Sequence, residues 1–346
     1  MGCATESFEA SGSRGAGGLM ARIREFRVGA MLYAAFVFAG CKNNADAAKT
    51  EKGEPPSMSS VAVPLSQIAT DALPVENTGG FDGKAAYDHV AKMVSHGPRP
   101  SGSPAIAQTQ DYILSRLKSF GCTVETDDFS AQTPAGRIAM KNILVKIPGD
   151  KPGIILLGTH YDTLKKDNFV GADDAGSSTG IMLELARLLC AKHSKFAVWI
   201  AFFDGEEAVQ QWSDTDSRYG SREMAAKLAI SGDLKKVRAF LLADIVGGKN
   251  ARIPKEADST PELSELVYST AKRLGYGNLF VNESSGASDD HDSFLSRKVP
   301  SVDVIAYFQN NGYWHTPLDN MEQISAKTLG IVGHVFLETV KALQAK

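Results

Sequence analysis

The residues best suited to chemistry lie in five short blocks. "AFFDGEEA" carries Asp204, Glu206 and Glu207, "GIILLGTHYDT" carries His160 and Asp162, and "VGADDAGSS" carries Asp173 and Asp174. "LLADIVG" holds Asp244, and "GYWHTPLDN" holds His315. Glu206 and Glu207 are adjacent where an apolar run ends, and two carboxylates there repel unless a cation binds one or one keeps its proton. Zn²⁺ accepts imidazole nitrogen and carboxylate oxygen, and a catalytic zinc keeps a position open for substrate. Singly, each block has a plainer reading. A His-x-Asp is commonly a hydrogen-bonded surface pair, an Asp before a helix is a cap, and paired glutamates after a strand are commonly solvated. Asp244 is the exception, because a carboxylate inside an apolar run is buried and needs a partner.

The segments around these blocks predict elements that carry them to one place. "GIILLGTH", "FAVWIAFFD" and "VRAFLLADIVG" are continuous apolar runs of strand length, the pattern of central strands covered on both faces. "VPSVDVIA" is a further strand, and "CTVETDDFSAQ" with "IAMKNILVKI" alternates like a half-exposed pair. Helices are predicted over "AAYDHVAKMVSHG", over "SPAIAQTQDYILSRLKSFG" with Ser103 as N-cap and Pro104 at its first position, over "GSSTGIMLELARLLCAKH", over "TPELSELVYSTAKRLG" and over "ISAKTLGIVGHVFLETVKALQ". Alternating strands and helices imply an α/β fold, a three-layer αβα sandwich around a mixed, largely parallel sheet. In such sheets ligands bind beyond the carboxyl ends of the strands, where the ionisable blocks fall.

These five blocks, in this order, resemble the zinc aminopeptidase and glutaminyl cyclase superfamily. The resemblance implies that Asp174, Glu207 and His315 hold zinc, with Glu206 as general acid–base. His160 and Asp244 are the second-metal candidates, with Asp162 orienting His160 from behind; one zinc is expected and two are allowed. The stretch after the glutamates is similar to the cyclase branch: Trp212 stands five residues beyond Glu207, and "DSRYGSREMA" follows from Asp216. Trp314 before His315 is also cyclase-like, as is "SDDHDSFLSRKVPSV", in which Asp289 matches a buried acid of the cyclase site. Asp303 departs from the animal cyclases, which carry histidine there, and "AYFQNNGY" differs from their aromatic loop. Thr159 stands beside His160, so the animal enzymes' disulfide at that strand is absent.

What the resemblance implies is N-terminal pyroglutamate formation from peptides beginning with Gln, with release of ammonia. Asp244 would then hold the substrate amine, Asp289 would share a proton with Glu206, and Trp212 and Trp314 would wall the substrate pocket. A two-zinc aminopeptidase would use the same residues, with His160 and Asp244 as ligands. An inactive receptor-like domain is a lesser alternative, since such domains lose ligands or the acid–base glutamate.

Composition sets the remaining bounds. The chain of 346 residues is 43% hydrophobic and 22% charged, ordinary globular material. A formal net charge of −3 and the lack of a basic cluster in the folded region argue against nucleic acid as a partner. The four cysteines, Cys3, Cys41, Cys122 and Cys190, form no CxxC pair, so cysteine-held zinc is not expected. Cys122 and Cys190 read as two buried free thiols, with a disulfide in an oxidising compartment as the alternative. Residues 1–41 form a targeting segment. Arg22, Arg24 and Arg27 precede a short apolar run ending in "FAGC", which resembles a bacterial lipoprotein signal. Cleavage near Ala39 in ordinary secretion is the alternative, and Met20 offers a second start. Residues 42–78 read as a tether, and 79–346 as the catalytic domain. Export to the cell envelope or periplasm is therefore expected, with membrane contact only through a lipid on Cys41. Cys41→Ser should move the protein from the membrane pellet to the soluble envelope fraction; equal pelleting of variant and parent would remove the anchor.

Overall fold

A computed structural model describes residues 71–346; the signal-like segment, Cys41 and the tether to residue 70 lie outside them. In chain order the strands are β1 (Val124–Thr133), β2 (Gly136–Ile147), β3 (Gly149–His160), β4 (Ser194–Phe203), β5 (Val237–Asp244), β6 (Ile253–Glu256), β7 (Phe280–Ser285) and β8 (Ser301–Ile305). The helices are α1 (Gly83–Val94), α2 (Pro104–Ser119), α3 (Ser178–Leu189), α4 (Tyr219–Ser231), α5 (Pro261–Arg273), the single turn α6 (Asp292–Leu295) and α7 (Ala326–Ala345). Ser103 caps α2 by accepting from the Ile106 amide, with Pro104 at the first position, as the sequence predicts.

The apolar runs form the middle of a six-stranded sheet ordered β1-β2-β4-β3-β5-β8. The β1–β2 and β2–β4 pairs are antiparallel, whereas β4–β3, β3–β5 and β5–β8 are parallel. Successive side chains on a strand point to opposite faces. Ile155 and Leu157 of β3 therefore join one core with Ile181 and Leu185 of α3 and Phe336 of α7, while Ile154 and Leu156 join another with Met224 and Leu228 of α4 and Phe294 of α6. Helices thus cover both faces, and each such buried Leu or Ile contributes roughly 1.5–3 kcal/mol over leaving it in water. The predicted three-layer αβα sandwich is the observed architecture. The parallel pair β6–β7 lies apart from the main sheet. Its strands, of 4 and 6 residues, are too short to show a period and carry no signal in the sequence.

Chain order also fixes where a site can open. From β3 the chain passes through α3 on one face to β4, then through α4 on the other face to β5 on the far side of β3. The turns leaving β3 and β5 diverge, and that leaves a crevice at their carboxyl ends.

Two expectations need correction. The folded unit begins before residue 79: Val75–Thr78 form a 3-10 turn, Thr78 is buried, and Ser325 Oγ donates to Asp71 at the start of α7. Cys122 and Cys190 are joined in a disulfide rather than free. The end of α2 and the end of α3 pack side by side, so the two Cα atoms are 5.3 Å apart despite a sequence separation of 68. Closing a loop of that size in the unfolded chain stabilises the fold by about 2–4 kcal/mol. Among the described residues no helix is long and apolar enough to cross a membrane.

Gly205 turns the chain from β4 into the paired glutamates. Its φ of +74° suits glycine, and a Cβ there would come within 2.6 Å of Met140 Sδ. Gly205→Ala should therefore lower stability by about 1–3 kcal/mol in urea unfolding; an unchanged midpoint would mean that the turn relaxes freely.

Candidate metal centre and active-site cleft

The carboxyl ends of β3, β4 and β5 deliver the predicted residues to one edge. His160 is the last residue of β3 and pairs in register with Phe203 of β4. Gly205 then reverses the chain to present Glu206 and Glu207, and Asp244 ends β5. Asp174 comes from the turn leading into α3, and the loop after β8 returns with Trp314 and His315. All of these are buried except His315 and Trp314, which are half-buried.

Two sets of donor atoms converge there. Asp174, Glu207 and His315 each offer an atom within 4.8 Å of the others, and so do His160, Asp174 and Asp244. Asp174 belongs to both: its Oδ2 is 3.2 Å from His315 Nε2 and its Oδ1 is 3.3 Å from His160 Nε2. Glu207 Oε1 lies 3.3 Å from His315 Nε2 yet accepts no hydrogen bond, a buried lone pair left free. Two carboxylates and one imidazole with an orphaned oxygen suit a zinc ion. His160 Nε2 is 3.2 Å from Asp244 Oδ1 and 3.9 Å from Glu206 Oε2. The adjacent glutamates therefore diverge, Glu207 toward His315 and Glu206 toward His160.

The supporting hydrogen bonds come mostly from residues the sequence analysis did not single out. Asp162 was expected to orient His160; it lies 3.4 Å from His160 Nδ1 without hydrogen-bond geometry. Its two oxygens instead accept from the Glu206 and Glu207 amides, clamping the glutamate turn. Asp319 does the same for the other ligand loop, accepting from the Asp173 and Asp174 amides at 2.7 and 3.1 Å. Asp173 accepts from the Gly247 amide and from Tyr313 Oη, both at 2.7 Å, which ties the loop after β5 to the loop bearing His315. Arg99 is wholly buried and donates to the carbonyls of Tyr161, Val170 and Gly171. Asp319 and Tyr313 lie inside "GYWHTPLDN", where their spacing from His315 is the one available signal. Arg99, in "GPRPSG", has none.

Backbone conformation sharpens the site. Ile245, directly after Asp244, has φ 49°, and His315 has φ 54°. A β-branched residue in the left-handed region is strained, so the packing around β5 must hold it there.

The electrostatics follow from burying many acids together. Burial pushes Asp244 and Asp289 up to about 7 and Glu207 up to about 6, and holds Glu206 well above the carboxylate range. Burial also opposes the charge on Asp174, but His160 and His315 outweigh it and keep this carboxyl below its usual value. Burial lowers His315, yet the carboxylates of Asp174 and Glu207 beside its Nε2 prevail and raise it to about 10. Arg99, lowered by burial to about 10, keeps its charge at neutral pH beside these acids.

Above this floor opens a cleft of ≈ 330 Å³ whose lining includes Trp212, Trp314, Ile305 and Phe308. Trp314 stacks on the His315 ring with centroids 4.1 Å apart, and both tryptophans reach the cleft. Asp289 lines it too, but makes no hydrogen bond to Glu206. Its Oδ1 accepts from the Asp290 amide and its Oδ2 has no partner, so direct proton sharing between Asp289 and Glu206 is not seen. Asp303 lies buried in β8, and neither oxygen of its carboxyl group has a hydrogen-bond partner.

A three-layer α/β domain with carboxylate–imidazole trios at its strand ends has the layout of a metal-dependent enzyme. The chain belongs to peptidase family M28, whose family model matches residues 142–340, in the group that includes glutaminyl-peptide cyclotransferases. It is 30% identical over 289 residues to a glutaminyl-peptide cyclotransferase of Dictyostelium discoideum, covering 69% of this chain and 79% of that protein. Among solved structures it is similar to a glutaminyl cyclase from an Acidobacteriales bacterium, with 40% identity, TM-score 0.72, and coverage of 77% of this chain and 95% of the other. It is also similar to a Zn-dependent exopeptidase from Parabacteroides distasonis, with 32% identity, TM-score 0.68, and coverage of 75% and 98%.

In the metal-free protein Asp244, Asp289 and Glu207 keep their protons to about pH 7, 7 and 6 when folded. In the unfolded chain they release them near pH 4. Across that window the folded state binds more protons, so its stability falls as pH rises. The raised His315 acts in the same direction above about pH 6.5, and the depressed Asp174 matters only at lower pH. Thermal melts in chelator should therefore show Tm dropping from pH 5 to pH 8. Added zinc should raise Tm more at pH 8, where the carboxylates are free to bind it. A larger zinc shift at pH 5 would contradict this charge balance.

Proposed function

We propose that the protein is a zinc-dependent glutaminyl-peptide cyclotransferase acting on peptides and proteins that begin with glutamine. The observation that carries this reading is the small, tryptophan-walled cleft. Asp174, Glu207 and His315 line it together with Glu206 and Asp244, so one amide side chain would sit beside that trio. The naming of the Dictyostelium and Acidobacteriales relatives supports it.

Zinc held by Asp174, Glu207 and His315 would supply Lewis acidity toward the γ-carboxamide oxygen. The remaining work falls to the chain. Both reacting groups belong to one residue, so the cleft's main task is to hold the glutamine bent, with its α-amine against its own side-chain carbon. Trp212 and Trp314 confine that conformer and exclude water, which would otherwise hydrolyse the amide. Asp244 accepts a hydrogen bond from the amine and orients it. As the new C–N bond forms, Glu206 takes a proton from the amine. As the old C–N bond breaks, it returns that proton to the departing nitrogen, which leaves as ammonia. A carboxyl kept well above its usual range by burial is suited to this relay near neutral pH. Asp289 acts by its charge on Glu206 rather than by a shared hydrogen bond.

A second reading, zinc aminopeptidase, is favoured by the His160–Asp174–Asp244 trio, which would hold a second metal. The receptor-like alternative finds no support, because Asp174, Glu206, Glu207 and His315 are all present and converge. We also read the protein as exported to the cell envelope. The Cys122–Cys190 disulfide favours that reading, since such bonds persist in oxidising compartments.

Purified protein should release ammonia from a Gln-initiated peptide and leave a cyclised product. Free amino acids without that product would move the assignment to aminopeptidase. Glu206→Gln should keep its zinc and lose turnover by about 10²–10⁴-fold, and Glu207→Gln should lose both. Equal zinc loss in the two variants would contradict the division of roles.

A further inference from the structure

A second cavity of ≈ 510 Å³ adjoins the cleft and shares Phe308 and Gln309 with it. Gln309 is exposed and Phe308 half-exposed, so the boundary between the two is an open rim. The cavity beside the Pro100–Ser103 loop meets the cleft only at Glu207, which is buried and forms a wall instead. A chain whose first residue sits in the cleft can leave it over Phe308 and Gln309, where the two cavities join.

The walls of that exit are built to receive a peptide. Four carboxamide side chains that line it, Asn250, Gln309, Asn310 and Gln323, offer donors and acceptors to a main chain, while Asn311 braces the wall by accepting from the Tyr313 and Trp314 amides. The walls are held by backbone hydrogen bonds: the Tyr307 amide donates to the Arg252 carbonyl and the Lys249 amide to the Gln323 carbonyl, both at 2.8 Å. Such a groove is formed before a ligand arrives.

Charge then distinguishes one class of occupant. Arg252 pairs with Glu283 at 2.6 Å, and Tyr307 Oη donates to the other oxygen of the same carboxylate, so that pair is neutral. Lys249 is exposed and has no acidic partner among the described residues. It leaves one uncompensated positive charge on the groove.

We propose that the residues following the N-terminal glutamine lie in this groove, and that Lys249 selects substrates with an acidic side chain there. This rests on the cyclase reading and adds a preference to it. An exposed ion pair is worth about 0.2–1 kcal/mol, which corresponds to a preference of roughly 1.5- to 5-fold in KM, eroded by salt.

The test uses the full-length protein with zinc. Gln-initiated pentapeptides carrying Glu, Ala or Lys at positions two to four are compared, with rates normalised to glutamine amide, which is too short to reach the groove. KM should rise from the Glu to the Lys series. The order should flatten in Lys249→Ala and invert in Lys249→Glu, and the differences should shrink at high salt. Equal KM across the series, or an acidic preference that survives in both variants, overturns the proposal while leaving the cyclase reading intact. No turnover of any substrate, glutamine amide included, overturns the cyclase reading and the groove with it.

Discussion

The mutual repulsion of buried carboxylates is the constraint on which this structure turns. Asp174, Glu206, Glu207, Asp244 and Asp289 all line one cleft, and an isolated buried carboxylate is prohibitively costly. Protonation, the His160 and His315 imidazoles and the charge of Arg99 relieve only part of that cost. A divalent ion between Asp174, Glu207 and His315 relieves more, because it neutralises two acids at once. The site is thus destabilising to the bare fold and would be stabilised by a metal ion bound there, a common arrangement where catalysis needs ionised groups in a dry place.

Holding such a site open requires rigid surroundings, and the fold supplies them through backbone amides. Asp162 fixes the turn that presents the two glutamates, Asp319 fixes the turn that presents Asp174, and Asp173 joins the loops after β5 and before His315. Asp162 and Asp319 accept from main-chain amides rather than from the candidate ligand atoms, and Asp173 accepts from the Gly247 amide and the Tyr313 hydroxyl. The ligands are positioned through their backbones, which leaves their carboxylate and imidazole atoms available. The strained φ angles of Ile245 and His315 fit the same scheme, since packing on rigid strands holds them in place.

The family resemblance leaves one chemical question with a physical basis. Asp174 faces both histidines, so the same carboxylate can serve one ion or bridge two. In the cyclase reading Asp244 would accept a hydrogen bond from the substrate amine, and in the peptidase reading it would bind a second cation with His160 and Asp174. Trp212 and Trp314 wall the cleft above that floor, and the cyclase reading rests on those walls. A cyclase and a peptidase can therefore share the floor of this site and differ in its walls.

The sequence by itself determined the sheet's central strands, the helices α1, α2, α3, α5 and α7, and the five blocks that carry the candidate ligands, but not α4 on the other face. Local signals suffice for these: apolar runs mark strands buried on both faces, Ser103–Pro104 marks a helix start, and acids at the ends of apolar runs mark a sheet edge. It did not determine the short β6–β7 pair, which is formed by distant pairing, or the start of the folded unit, where Asp71 depends on Ser325. The Cys122–Cys190 bond was misread because α2 and α3 meet only once both pack on the sheet. Arg99, Asp319 and Tyr313 likewise acquire their roles from carbonyls, amides and a carboxylate far away in the chain. Periodicity and caps are written over neighbouring residues, whereas a convergent polar network exists only after the strands and helices have fixed where remote segments meet.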